Sequence, residues 1–178
     1  MVRKHRKMLG NAAAPATLAL MGLIETQSRE TICAWCLDYA ETRILPIYAR
    51  RNPTDERPRE TLKAARAYLD GETTFAEVKN LILNSCHAAA RALDHDPAAQ
   101  AAARACGQAA SVVHTLSHAL GLYFYGTAAF AYDTVGLGQP DATYELIADQ
   151  VCADLRAALL AIAVKKEPNP AKIKWKIC

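Results

Sequence analysis

Helix breakers are scarce in this sequence: 8 glycines and 8 prolines in 178 residues. The stretches between them are rich in alanine with Leu, Arg and Glu, and alanine favours helix because it loses no side-chain entropy on entering one. A strand-based fold therefore has little support. The short motifs that carry chemistry are also missing. There is no phosphate-binding glycine loop, no dinucleotide fingerprint, no Ser-His-Asp arrangement and no His-Glu-x-x-His, so nothing points to an enzyme or to a bound cofactor. No internal repeat suggests a solenoid. The apolar stretch from Ala12 to Ile24 falls well short of the roughly 20 residues a membrane span requires. It runs into Glu25-Thr26-Gln27-Ser28-Arg29-Glu30, without the small-x-small site at which a secretory signal is cut. The expectation is a buried first helix in a cytoplasmic protein that does not enter a membrane.

What is present suffices for one domain. At 178 residues and 52% hydrophobic the chain can bury a substantial core and is of single-domain size. The formal charge of +3 sits at the two ends. Arg3, Lys4, Arg6 and Lys7 give the first ten residues +4, and five lysines against Glu167 give residues 165–178 another +4. Taking those eight charges from the total leaves the body at about −5, and an acidic body does not offer a broad face to phosphate. A nucleic-acid partner is therefore not expected. Residues 1–11 read as a basic, mobile head and residues 165–178 as a basic, extended tail.

The six cysteines do not form a disulfide framework. Cys86, Cys106 and Cys152 stand singly in helical apolar patterns, where a thiol packs as a small hydrophobe. Cys33-Ala34-Trp35-Cys36 is the one close pair. A redox pair opens a helix behind a strand, whereas this one follows several helical residues and reads as core packing. No second pair completes a zinc site. Cys178 is the thiol expected to be exposed.

The breakers divide the chain into about six helices. Pro15 suits the first turn of a short helix, and Ser28 is a plausible cap for a second ending near Pro46. Asn52-Pro53-Thr54-Asp55 forms a connection, Pro58 opens a third helix and Gly71 closes it. Thr74-Phe75-Ala76-Glu77 has the form of a capping box and starts a fourth through Leu93. From Pro97 to about Val135 the pattern continues past Gly107, Gly121 and Gly126 as two helices or one bent one. Residues 136–141 form the clearest loop, with Asp141 as the cap of a last helix to about Val164. The expected fold is all-α, a single compact helical bundle over residues 1–178.

Within the central segment His114, His118, Gly121, Tyr125 and Tyr132 fall on one stripe if the helix is continuous. Two histidines at i and i+4 could share one metal ion, but a third and fourth ligand must then come from elsewhere. His87 or Glu25 would serve only by coincidence of packing. Hydrogen-bonded structural histidines without a metal are the expectation. The other candidates for binding lie earlier. Arg57 and Arg59 carry guanidinium forks that could hold a partner carboxylate, and the internal alternative pairs them with Asp38 and Glu41, three residues apart on one helical face. That internal network is favoured here. Trp35 and Tyr39 read as aromatic core anchors.

The stretch from Glu25 to Glu72 also carries a particular word order: Trp35, Asp38-Tyr39-Ala40-Glu41, Asp55-Glu56-Arg57-Pro58-Arg59, Ala64-Ala65-Arg66 and Gly71-Glu72, followed much later by His114 and His118. In this it resembles the Imm-5-like family of immunity proteins over about residues 24–136. Tyr39 stands where the family often has cysteine, with Cys36 nearby, and Tyr68 where tryptophan is common. The resemblance implies an all-helical protein that binds and neutralises a cognate bacterial toxin by covering its surface. Arg57, Arg59, His114, His118, Tyr125, Asp38 and Glu41 are the candidate contact residues. Two other functions fit the same residues: a helical bundle holding a metal or small ligand through His114 and His118, and a structural homo-oligomer joined through the tyrosine stripe.

Overall fold

A computed structural model describes residues 5–175. Arg3, Lys4, Lys176 and Cys178, part of the expected head and tail, lie outside the described residues. The helices are α1 Pro15–Ile24, α2 Arg29–Tyr39, α3 Leu45–Arg51, α4 Arg57–Leu69, α5 Phe75–Leu81, α6 His87–Arg91, α7 Pro97–Ser111, α8 His118–Thr134 and α9 Asp141–Ile162. Two π-helical turns, Ala40–Ile44 and Ile82–Cys86, weld α2 to α3 and α5 to α6. The chain thus forms seven continuous helical rods, and no strand occurs among the described residues.

Local sequence sets most of the rod starts. Pro15, Pro58 and Pro97 each occupy the first turn, where the missing N–H costs nothing. Ser28 Oγ accepts from the Thr31 N–H, Asp96 accepts from the Ala99 N–H, and Thr74 with Glu77 closes a reciprocal capping box. Asp141 is not the cap of α9. Pro140 takes that place without a side-chain bond, and Asp141 in the first turn instead accepts from Arg6 at 2.8 Å.

The second rod runs past Pro46, where the sequence suggests a stop. A proline inside a helix removes one i→i−4 bond and crowds the carbonyl four residues back. The π turn immediately before it widens the coil, with the Leu45 N–H reaching back five residues to the Ala40 carbonyl. Thr42 Oγ1 donates to the Asp38 carbonyl at 2.7 Å in the same turn.

At the centre lies α7, whose alanines at 98, 99, 101, 102, 103, 105, 109 and 110 are all buried. Apart from a polar stripe at Gln100, Arg104 and Gln108 the helix is apolar, as befits the inside of a bundle, and its methyl side chains let neighbouring rods come close. It packs most extensively on α8 and also against α3, α4 and α6. Trp35, 1% exposed, ties the second rod to the last by donating from its indole N–H to the Leu155 carbonyl at 3.1 Å. The central segment is two helices, separated by a connection at residues 112–117. His114 therefore sits in the connection and not on a stripe with His118. Ser111 Oγ donates to the Gly107 carbonyl at 2.7 Å, and Arg29 donates to the Val113 carbonyl just beyond the helix end.

Both ends of the described chain lie on the bundle. Leu9 is buried, its N–H donates to the Phe124 carbonyl at 3.2 Å, and Tyr132 Oη donates to the Arg6 carbonyl at 2.6 Å. The head, expected to be solvated, is thus anchored from His5 onward by an apolar side chain and backbone bonds. It also covers Tyr132, so the tyrosine stripe is not an open interface. The extended tail crosses the start of α2, where Gln27 Oε1 accepts from the Val164 N–H and the Gln27 carbonyl from the Ala171 N–H, at 2.7 and 2.8 Å. No helix among the described residues is long and apolar enough to cross a membrane.

Candidate functional site

The Asp55-x-Arg57 turn closes on itself. Asp55 accepts from the Arg57 backbone N–H at 3.1 Å, from Arg57 Nε at 2.9 Å and from Nη2 at 2.6 Å, while buried Tyr48 donates its hydroxyl at 2.6 Å. These donors hold the Asp55 carboxyl at about 2, below its ordinary value of 3.8, and the Arg57 hydrogen bond is the largest cause. The same carboxylate, with burial as the main cause, pushes the Tyr48 hydroxyl well up. Arg57 is therefore a clasp between the turn and the core. Arg59 is different: Nε donates to Glu56 at 2.7 Å, and its Nη atoms make no hydrogen bond among the described residues.

Neither arginine pairs with Asp38 or Glu41, contrary to the network favoured from the sequence. Arg66 takes both carboxylates, with Nη2 to Asp38 at 2.5 Å, Nη2 to Glu41 at 2.7 Å and Nε to Glu41 at 2.8 Å. The reason is the course of α4, which starts beside Tyr48 on the second rod and ends beside Asp38 and Glu41, so that Arg57 stays at the Tyr48 end and Arg66 reaches the two carboxylates. Arg66 lies seven residues after Arg59, two helical turns along one face of α4. The three groups fix the angle between the rods, and Asp38 remains 59% exposed there.

Asp38 also belongs to the rim of a cleft of about 290 Å³ between the second rod and α9. Trp35, Tyr39, Arg43, Asp154 and Ile162 line it. Arg43 and Asp154 pair across it at 3.3 Å. Tyr39 is buried, which, together with the Asp154 charge, pushes its hydroxyl up to about 12. Glu41 reaches Arg66 on α4, while Arg43, two residues on and so on the opposite side of the helical rod, faces α9. Arg66, Arg43 and Asp154 were not singled out as candidates. For Arg66 a signal existed, the seven-residue spacing from Arg59; for the α9 residues none did.

His118 and His114 form a separate cluster, linked through Phe75 to Tyr68 near the end of α4. His118 Nδ1 is 2.8 Å from Gln108 Oε1, and the two imidazoles are 5.3 Å apart, with Phe75 5.1 Å beyond His114. Burial lowers the pKa of both, and neighbouring cations lower it further. Tyr125 is half-buried beneath the Arg104 guanidinium, 6.0 Å from its ring centroid. Among the described residues no three His, Cys, Asp or Glu side chains come together so as to hold a metal ion. The Cys33 and Cys36 thiols are buried and free, and burial raises Cys33 to about 11 and Cys36 well above its ordinary value. That is the chemistry of packing thiols, not of a redox pair.

The assembly is thus a seven-rod helical bundle with an ion-paired face on the second and α4 rods and no recognisable catalytic group within that face. The family model described as "Imm-5 like putative immunity protein" matches residues 22–158. The chain belongs to that family. Comparisons with curated proteins and with solved structures found no match.

Proposed function

We propose that this chain binds a cognate protein toxin and neutralises it by covering its surface, without turning over a substrate. Family membership supports the immunity role in general. The observation that carries the finer reading is the fixed, exposed ionic surface on which Arg66 holds Asp38 and Glu41 beside the Trp35–Asp154 cleft. A surface already ordered in the free protein loses little side-chain entropy on docking. Its carboxylates, on a body of about −5, favour a basic partner face and would speed encounter with it. Arg59, whose Nη donors are free, extends that surface along α4; Arg57 belongs to the fold and not to the interface.

The test is charge reversal at the exposed centre. Asp38→Lys is expected to weaken protection against the toxin while circular dichroism and melting temperature stay close to wild type. Unchanged protection by Asp38→Lys and by Arg59→Glu, both folded, would place the interface elsewhere.

A further inference from the structure

A second constellation lies where α6, α7 and α8 meet. Arg104, Gly107, Gln108 and Ser111 follow one face of α7, and His118, Gly121 and Tyr125 one face of α8. The glycines make the room: a methyl at 107 would stand 2.7 Å from His87 Nε2, and one at 121 would stand 2.6 Å from Gln108 Cδ. His87 therefore lies over α7 and Gln108 over α8, where Gln108 holds His118 through Nδ1. Arg104 Nε is buried with no hydrogen-bond partner, and among the described residues the guanidinium forms no ion pair and rests over Tyr125. Among the same residues His87 makes no hydrogen bond either. A half-buried guanidinium and an imidazole without acceptors, in one place, are donors arranged for a group that is itself an acceptor.

We infer that this junction is an oxyanion-binding site, in which Arg104 and His87, with His118 beside them, take a phosphate or carboxylate group. The charges acting on the three imidazoles are all positive. Burial and then Arg104 and Arg91 lower His87; burial and then His114 and His87 lower His118; burial and then Arg29 and Lys79 lower His114. These groups come from α2, α5, α6, α7 and the connection between α7 and α8, and among the described residues no carboxylate acts on the three imidazoles. An anion placed among them would relieve that repulsion and let the imidazoles take up protons. Affinity should therefore rise as pH falls through the histidine range. The proposed donors are a local cluster and not a broad basic face, and none of them belongs to the Asp38, Glu41 and Arg66 network.

The experiment is titration of the whole chain with inorganic phosphate at pH 6 and pH 8, read by calorimetry and by the imidazole NMR signals of His87 and His118. One saturable site is expected, tighter at pH 6, with both histidines titrating at higher pH when phosphate is present. Arg104→Gln should lose about tenfold or more in affinity, as the removal of a charged hydrogen-bond donor does. Arg156→Gln, an exposed cation on α9, should bind as wild type. If Arg104→Gln does not fold, His87→Gln must show the loss instead. A parallel acetate titration separates the two sources: displacement of acetate by phosphate assigns a phosphate, and the reverse a carboxylate. Absence of saturable binding, equal weakening by Arg156→Gln, or equal affinity for chloride would overturn the assignment.

Discussion

Replacing Asp55 by Asn separates the structural clasp from the interface. Asparagine keeps the shape and one acceptor oxygen; the change removes the charge and one of the two oxygens that between them accept from the Tyr48 hydroxyl and from the Arg57 N–H, Nε and Nη2. A carboxyl held at about 2 instead of 3.8 corresponds to a little over 2 kcal/mol, since each tenfold change in proton affinity is about 1.4 kcal/mol. Arg57 is 41% exposed, and solvent screening of such a pair leaves about 1 kcal/mol to be lost at pH 7. The sign follows from the direction of the shift. A depressed carboxyl stabilises the fold above its unfolded-state pKa, and this stabilisation disappears as pH falls through the folded-state value. Urea denaturation of wild type and Asp55→Asn should therefore differ at pH 7 and converge between about pH 4 and pH 2. A difference of the same size at pH 7 and at the acid end would refute the charge argument. Protection lost by Asp55→Asn in a fully folded protein would refute the assignment of this turn to the fold.

Three further outcomes follow from the packing. Ser28→Ala removes the acceptor for the Thr31 N–H and should lower stability by about 1 kcal/mol, read by thermal melting. Leu122→Ala empties a fully buried position and should cost about 2–5 kcal/mol, whereas the same change at Leu146, 71% exposed, should cost little. Cys33 and Cys36, buried with raised pKa values, should react with a thiol reagent only on unfolding; rapid labelling of both in the native protein would contradict their role as packing groups.

Much of the fold is legible because its signals are local. Ser28, Asp96 and the Thr74–Glu77 pair act on backbone groups within three residues, and the prolines act on their own turn, so spacing alone identifies them. The π turns are not legible in the same way. Pro46 looks like a stop until a widened coil before it removes the clash, and that coil depends on what packs around Ala40 and Ile44. The division of the central segment into two helices is among the sequence's alternatives, but the position of the break, after Ser111, is not legible for a similar reason. Residues 112–117 continue the helical pattern, yet Arg29, more than 80 positions away in the chain, takes the Val113 carbonyl that a continuing helix would need. The candidate site fared the same way. Asp38 and Glu41 share a face by spacing, but which arginine they hold depends on how α4 runs beside the second rod, and Arg66 is 25 and 28 residues away. His118 has a hydrogen-bond partner, Gln108, that helical spacing does not predict.

The central claim is that this protein acts by binding a toxin, and co-expression tests it most directly. A toxin encoded beside its gene should be lethal alone and harmless when this chain is made with it, and the two purified proteins should form a stoichiometric complex in which the toxin is inactive. Undiminished killing by every toxin encoded beside the gene, with the chain present and folded, would contradict the account.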